Sequence, residues 1–342
     1  MGKFGFVKIA TAVPSCKVAD VKYNCDEIVR LIRDADANGA EAVLFPELCI
    51  TAYTCADLFF TKTLLTAAEE GLKTIINETA DLNIISIIGL PVSDGIHLFN
   101  CAAIIQKGRL CGVVPKSYIP NHSEFYEYRW FYGANNIKEN EITLAGQTAL
   151  FTTDVIFENS SFKFSVEICE DMWTSVPPSS IHTLYGANVI FNLSASNAVI
   201  GKRKNRTMLV KSRSFSSHCA YVFTSCGAGE STTDTVFSGH TIIAENGTVL
   251  LDDVNTDFES KLYFTEIDIE RIESDRNKLT TYHLHMPKQD YKRIKLNDNP
   301  LEISKLTRTV ARFPFVPPAG KDKNERMQEI YTILTNALAK RL

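Results

Sequence analysis

The sequence predicts an α/β fold in which sheets carry helices on their outer faces. Three observations predict it. The first 110 residues alternate strand-like and helix-like text. From Asn100 to Asp268 the text is mostly strands, with two hairpin signals. Of 342 residues, 45% are apolar and 22% charged, which excludes wholesale disorder and fibrous repeats and is enough for a large core.

The elements follow in order. Residues 4–10 read as a buried strand. Residues 24–38 place Ile28, Leu31, Ile32 and Ala35 at helical spacing, and Gly39 suits the end of that helix. Residues 42–45 are a short strand stopped by Pro46. Residues 63–80 put Leu65, Ala68, Leu72, Ile75 and Ile76 on one helical face, and residues 84–88 are a strand. Residues 100–114 read as a hairpin turning at Lys107-Gly108. Residues 162–168 alternate cleanly and end at Cys169. Strands follow at 188–193 and 221–225. Residues 241–251 form the strongest hairpin signal, since Asn246-Gly247 suits a type I′ turn, and residues 261–268 close the series.

Near residue 280 the apolar rhythm weakens and basic residues increase. The stretch 312–318, with Pro314, Pro317 and Pro318, must be extended. Met327, Ile330, Ile333, Leu334, Ala337 and Leu338 then make an apolar helical stripe. Pattern alone leaves two readings of that helix: it docks on the preceding domain, or its partner is missing.

Several function classes fall away. Thirty-six basic against 40 acidic side chains give −4, so no general positive field serves nucleic acid. No 18-residue apolar run exists to span a membrane, and the N-terminus lacks a signal-peptide core. Nine cysteines form no C-x-x-C pair, so neither a structural zinc site nor a thioredoxin-like pair is expected. Free thiols in a reducing cytoplasm are the expectation.

Chemistry concentrates at three strand ends. Cys169 ends the 162–168 strand and shares parity with Lys163, Ser165 and Glu167, away from Phe162, Phe164, Val166 and Ile168. A thiol needs a neighbouring base or cation to act as a nucleophile near neutral pH. Glu47 follows Phe45-Pro46, and Lys116 follows Val113-Val114-Pro115. Each alone is an ordinary loop residue. Together they are a base, a cation and a nucleophile, each just past an apolar strand, and parallel strands bring such ends to one rim.

These residues carry a resemblance. Phe45-Pro46-Glu47-Leu48, Pro115-Lys116 and Ile168-Cys169-Glu170-Asp171 resemble the three signature segments of the nitrilase superfamily of C–N hydrolases, in the same order, 69 and 53 residues apart. Residues 47–58, 116–131, 167–173, 192–196 and 229–234 are similar to the glutaminase domain of the glutamine-dependent NAD+ synthetases. The likeness runs from residue 4 to about 280 and resumes at 312–317, which look like the linker into the synthetase domain. It departs at His122, where a tyrosine is usual, and at Asn197, where a proline is common. The family's ATP-pyrophosphatase loop, Ser-Gly-Gly-x-Asp-Ser, is absent, and no Walker A pattern replaces it.

The resemblance implies an α-β-β-α four-layer sandwich over 1–280, then a linker and the first helix of a missing ATP-dependent synthetase domain over 281–342. It implies hydrolysis of L-glutamine, with Cys169 as nucleophile, Glu47 as proton shuttle and Lys116 at the oxyanion. Ser196 and Lys202 match positions near the α-amino and α-carboxylate groups. Tyr53, His122 and Glu170 belong to the same pocket. Glu124, eight residues after Lys116, matches a second acidic position that orients Lys116 or the substrate amide. The other cations of the cluster Lys202, Arg203, Lys204, Arg206, Lys211 and Arg213 read mostly as a solvated helix face. No metal or cofactor is implied for this half; ATP, Mg2+ and deamido-NAD+ belong to the missing half. A homo-oligomer is expected, with no nucleic-acid or membrane partner. Two alternatives stay open: a free-standing amidase acting on another small amide or carbamoyl compound, and a non-catalytic assembly domain.

Overall fold

The computed structural model describes residues 5–282, 288, 290–298, 303, 305–310, 312, 313, 316 and 321–342. The chain divides into two compact units, residues 1–305 and 306–342. In the first unit the elements run β1 (Phe6–Val13), α1 (Val21–Ala37), β2 (Ala42–Leu44), α2 (Lys62–Glu78), β3 (Ile85–Ser93), β4 (Leu98–Gln106) and β5 (Arg109–Pro115). A small hairpin, β6 (Glu141–Leu144) and β7 (Gln147–Leu150), leads to β8 (Val155–Glu158) and β9 (Lys163–Ile168). Then come α3 (Pro178–Leu184), β10 (Val189–Ser194), α4 (Lys202–Ser216), β11 (Ala220–Ser225), β12 (His240–Glu245), β13 (Thr248–Val254), β14 (Lys261–Asp268), α5 (Ile269–Lys278) and β15 (Lys292–Lys295).

Local chemistry sets the boundaries. Asp20 and Thr61 cap α1 and α2 by accepting the backbone N–H groups of Tyr23 and Leu64. Gly39 follows α1 at φ +76°. The β4–β5 hairpin turns on Lys107 and Gly108, and the β12–β13 hairpin on Asn246 and Gly247, all four at positive φ.

The strands form two sheets, in the order β14-β1-β2-β3-β4-β5 and β13-β12-β11-β10-β9-β8-β15. Alternation along each strand assigns three cores. Val7 and Ile9 of β1 meet Phe164 and Val166 of β9 and Phe191 of β10 between the sheets. Ala10 and Ala12, on the other parity, join Ile28, Ile32, Leu72 and Ile75 under α1 and α2. Ile190, Tyr221 and Phe223 face outward with Val210 of α4. The result is the four-layer α-β-β-α sandwich that the sequence reading expected.

The sequence reading ends this domain at 280, yet β15 pairs in parallel with β8 and Leu296 is buried in the inter-sheet core. Residues beyond 280 therefore complete the second sheet. The second unit contains α6 (Lys321–Arg341). Its Met327, Ile330, Ile333, Leu334 and Leu338 are exposed. Pro314, Phe315, Pro317 and Pro318 of the expected linker, and Phe4 of the first strand, lie outside the described residues.

Candidate active site

Strand direction brings three chain segments to one rim. β2 and β3 are parallel, and β5 runs back parallel to β3 after one antiparallel neighbour, so Glu47 and Lys116 leave the same end of the first sheet. Cys169 and the 194–197 segment leave the ends of the parallel strands β9 and β10. The two sheets meet where the Glu47 N–H reaches the Ser194 carbonyl at 3.4 Å.

The turn carrying Glu47 crosses directly over β3. A Cβ on Gly89 would lie 2.3 Å from Leu48 N and 2.6 Å from the Pro46 carbonyl, so only glycine lets the turn pass there. Leu48 has φ +52°. Glu47 is fully buried. Its Oε1 takes Lys116 Nζ at 2.7 Å and Asn100 Nδ2 at 2.6 Å. Its Oε2 has no hydrogen-bond partner among the described residues.

Lys116 is equally buried, and its second partner is Glu127, with both carboxylate oxygens at 2.8 Å. Tyr53 donates its hydroxyl proton to Glu127 Oε1 at 2.9 Å. Burial works against the ammonium, but Glu127 and Glu47 outweigh it and hold the Lys116 pKa well above its ordinary value. Lys116 is therefore charged throughout the working pH range. One cation faces two carboxylates.

Cys169 opens a short 3-10 turn (Cys169–Trp173) at φ +47°, a conformation that costs a non-glycine residue roughly 1–2 kcal/mol. The strain aims the side chain off the end of β9. Only 6% of Cys169 is exposed. Burial, then the Glu47 carboxylate, push its thiol up, while Lys116 pulls the other way. The resting sulfur is thus a neutral thiol that needs a base. Asp171 ties this turn to the Lys116 strand end: it accepts from Ile168 N–H at 2.9 Å, Ser117 N–H at 3.1 Å and Tyr118 N–H at 2.8 Å. Burial raises its carboxyl to about 7.

The mouth of the site carries the other expected residues. His122 Nε2 lies 3.3 Å from Glu170 Oε1. Glu124 accepts from Asn197 Nδ2, and Lys202 donates to Asn197 Oδ1 with its Nζ 3.8 Å from Glu124. Ser196 is buried and accepts from Arg206 at its hydroxyl, 3.2 Å. Aromatic walls continue outward into a cavity of about 130 Å³ between Tyr53, Phe125, Tyr126, Trp130 and Asp234.

Two expectations are corrected here. Of the two roles expected for Glu124, holding Lys116 falls to Glu127 instead; Glu124 stands three residues earlier, on the rim with Lys202. Arg206 is no part of a solvated face. It is 1% exposed and donates to the Asn197 carbonyl at 2.9 Å and to His240 Nδ1 at 2.9 Å. Asn100, which steadies Glu47, was not singled out from the sequence at all.

The sequence pattern of carbon-nitrogen hydrolases matches residues 8–277. The chain belongs to the carbon-nitrogen hydrolase family. It is 34% identical to a glutamine-dependent NAD(+) synthetase of Mycobacterium tuberculosis over 347 residues, 99% of this chain and 51% of that protein. One from Mycobacterium leprae is 33% identical over the same shares. The chain thus spans about half the length of these curated relatives. Among solved structures, a glutamine-dependent NAD(+) synthetase from Cytophaga hutchinsonii superposes with TM-score 0.69 at 27% identity, covering 77% of this chain and 43% of that one. A carbon-nitrogen hydrolase from Helicobacter pylori shares the fold, with TM-score 0.64 at 16% identity over 80% of this chain and 93% of its own. In this carbon-nitrogen hydrolase no helix among the described residues is long and apolar enough to cross a membrane.

Proposed function

We propose that this chain is the glutaminase part of a glutamine-dependent NAD+ synthetase, hydrolysing L-glutamine to glutamate and ammonia. The observation that carries the reading is the buried Glu47–Lys116–Glu127 cluster acting on the strained thiol of Cys169.

Cys169 attacks the side-chain amide carbon of glutamine while Glu47 takes the thiol proton. The carbonyl oxygen becomes an oxyanion, held by the Lys116 ammonium and the Glu170 backbone N–H; one such donor contributes about 3–4 kcal/mol. Glu47 returns the proton to the nitrogen, the C–N bond breaks, and ammonia leaves a thioester. Glu47 then deprotonates water, which attacks the thioester, and glutamate departs as the thiol recovers its proton. The mouth holds the free amino acid: Glu124 and Glu170 face its ammonium, Lys202 and Ser196 its carboxylate, and Tyr53 and His122 wall the pocket.

The ammonia then serves ATP-dependent amidation of deamido-NAD+ in the synthetase half of such an enzyme, with residues 306–342, which carry α6, as the link towards it. ATP and Mg2+ belong to that half. Among the described residues no three His, Cys, Asp or Glu side chains gather as a metal site. We place the reaction in the cytoplasm and the protein in a homo-oligomer, which native mass measurement checks.

Covalent capture tests the reading. A glutamine-shaped diazoketone is expected to leave one adduct, mapped to Cys169, and Cys169→Ala is expected to lose both the adduct and ammonia release. No adduct at Cys169 refutes the mechanism. A panel in which another amide or carbamoyl compound clearly outpaces glutamine refutes the substrate and favours a free-standing amidase.

A further inference from the structure

The segment 229–234 lies in the connection between β11 and β12, far in sequence from every residue of the mechanism. Glu230 is 6% exposed, yet its carboxylate turns inward onto the backbone after the Glu47 turn. Oε1 accepts Tyr53 N–H at 2.9 Å, and Oε2 accepts Thr54 N–H at 3.0 Å and the Thr54 hydroxyl. The Thr54 oxygen in turn accepts Ser231 N–H at 2.8 Å. Four bonds therefore fasten residues 53–54 to residues 230–231.

That turn needs fastening. Ala52 and Ala56, which flank it, sit at φ +70° and +49°, a region unfavourable for residues with a Cβ. Such a backbone persists only where the surroundings over-determine it. What the turn presents is Tyr53. Its ring packs edge-on against Phe237 at 5.9 Å, and its hydroxyl donates to Glu127 Oε1. That same oxygen lies 2.8 Å from Lys116 Nζ. The chain of contacts runs from Glu230 through the Tyr53 backbone, the Tyr53 hydroxyl and Glu127 to the ammonium.

A carboxylate suits this place because it is acceptor-only, and three donors converge on it. A glutamine offers one acceptor oxygen, and its amide N–H would face another N–H.

We propose that Glu230 is a positioning residue for amide hydrolysis, setting the Lys116 ammonium through Tyr53 and Glu127. The proposal rests on the amide-hydrolysis reading above. It differs from a mere loop anchor in one respect: its effect on turnover must pass through the Tyr53 hydroxyl.

A double-mutant cycle on the full chain measures that. Glu230→Gln and Tyr53→Phe are each expected to lower kcat at least tenfold with KM within about threefold of wild type, since the ammonium acts in the transition state. The double variant is expected to be no more than about twofold worse than the poorer single. Losses that multiply overturn the proposal, as does Glu230→Gln at wild-type kcat. Should Glu230→Gln fail to fold, Thr54→Val removes two of the four bonds and takes its place in the cycle, with the same two outcomes. Failure of the underlying reading is distinguishable, because wild type would then neither turn over glutamine nor be captured at Cys169.

Discussion

Lys116 sits fully buried between Glu47 and Glu127, and Glu127 takes it with both carboxylate oxygens, so removing Glu127 strips the ammonium of a two-pronged partner and leaves it to Glu47 alone. Losing hydrogen bonds to a buried charged group costs about 1.5–3 kcal/mol. Glu127→Gln is therefore expected to lower the melting temperature and to cut kcat at least 100-fold, whereas Glu124→Gln on the rim is expected to raise KM and leave melting unchanged. Calorimetry with steady-state ammonia release separates the two. The resemblance pointed to Glu124, eight residues after Lys116, but the run Glu124-Phe125-Tyr126-Glu127 holds two acids, and only the short turn starting at Glu127 decides which one enters the core. Arg206 did leave a legible signal. It lies one turn before Val210 and two before Ser214, so the three share one buried face of α4. Its charge drew attention away from that spacing.

Arg206 also fixes a proton. Its Nε–H donates to His240 Nδ1, so the histidine proton sits on Nε2 and is given to Asp252 at 3.1 Å. Burial, then Arg206 and Arg203 against the pull of Asp252, lower the His240 pKa from 6.5 to about 4, with Phe223 covering the ring. The unfolded chain thus binds the proton more readily. Stability from this group is complete above pH 6.5 and is lost as pH falls towards 4, by roughly 3 kcal/mol in full. Asp171, whose raised carboxyl gains stability over the same fall in pH, works the other way, so the His240 share is read as a difference: between pH 7 and pH 5 in urea unfolding, wild type is expected to lose more stability, or gain less, than His240→Gln.

Among the elements, the β2 turn depends most on a single position. Gly89→Ala forces a methyl onto the Leu48 amide and the Pro46 carbonyl, both backbone atoms that cannot swing aside. Overpacking of this kind costs about 1–3 kcal/mol. The variant is expected to melt lower and to lose activity disproportionately, because the displaced turn is the one that carries Glu47. Long elements were legible in the text: α1, α2, both positive-φ hairpins and β14 fall where periodicity and turn chemistry put them. Apart from β2, the short ones were not. β8 and β15 have four residues each, and β15 reads Lys-Arg-Ile-Lys. A charged strand suits a sheet edge, where it discourages further pairing, but in sequence it resembles a basic linker.

At the scale of the whole chain, the unit over 1–305 has its own three cores. A chain ending at Lys305 is expected to unfold cooperatively and to retain covalent capture. One ending at 280 is expected to melt several degrees lower, because it uncovers β8 and removes Leu296 from the inter-sheet core. Differential scanning calorimetry of the two compares them directly. The four-layer architecture was implied by the family resemblance, and the order of strands and helices alone gave sheets with helices on their outer faces. The reach of the second sheet past 280 was not, since one parallel edge strand adds no new periodicity to the text.

The hidden, uncharged state of Cys169 has a practical consequence for chemical profiling. General alkylating reagents select sulfurs that are already ionised and accessible. Cys169 is neither: it is 6% exposed and its proton is held tightly. In a cell extract treated with such a reagent Cys169 should stay unlabelled. A warhead shaped like an amide would mark it, because only a ligand seated beside Glu47 draws the proton away. Reactivity here is conditional on the shape of the visitor.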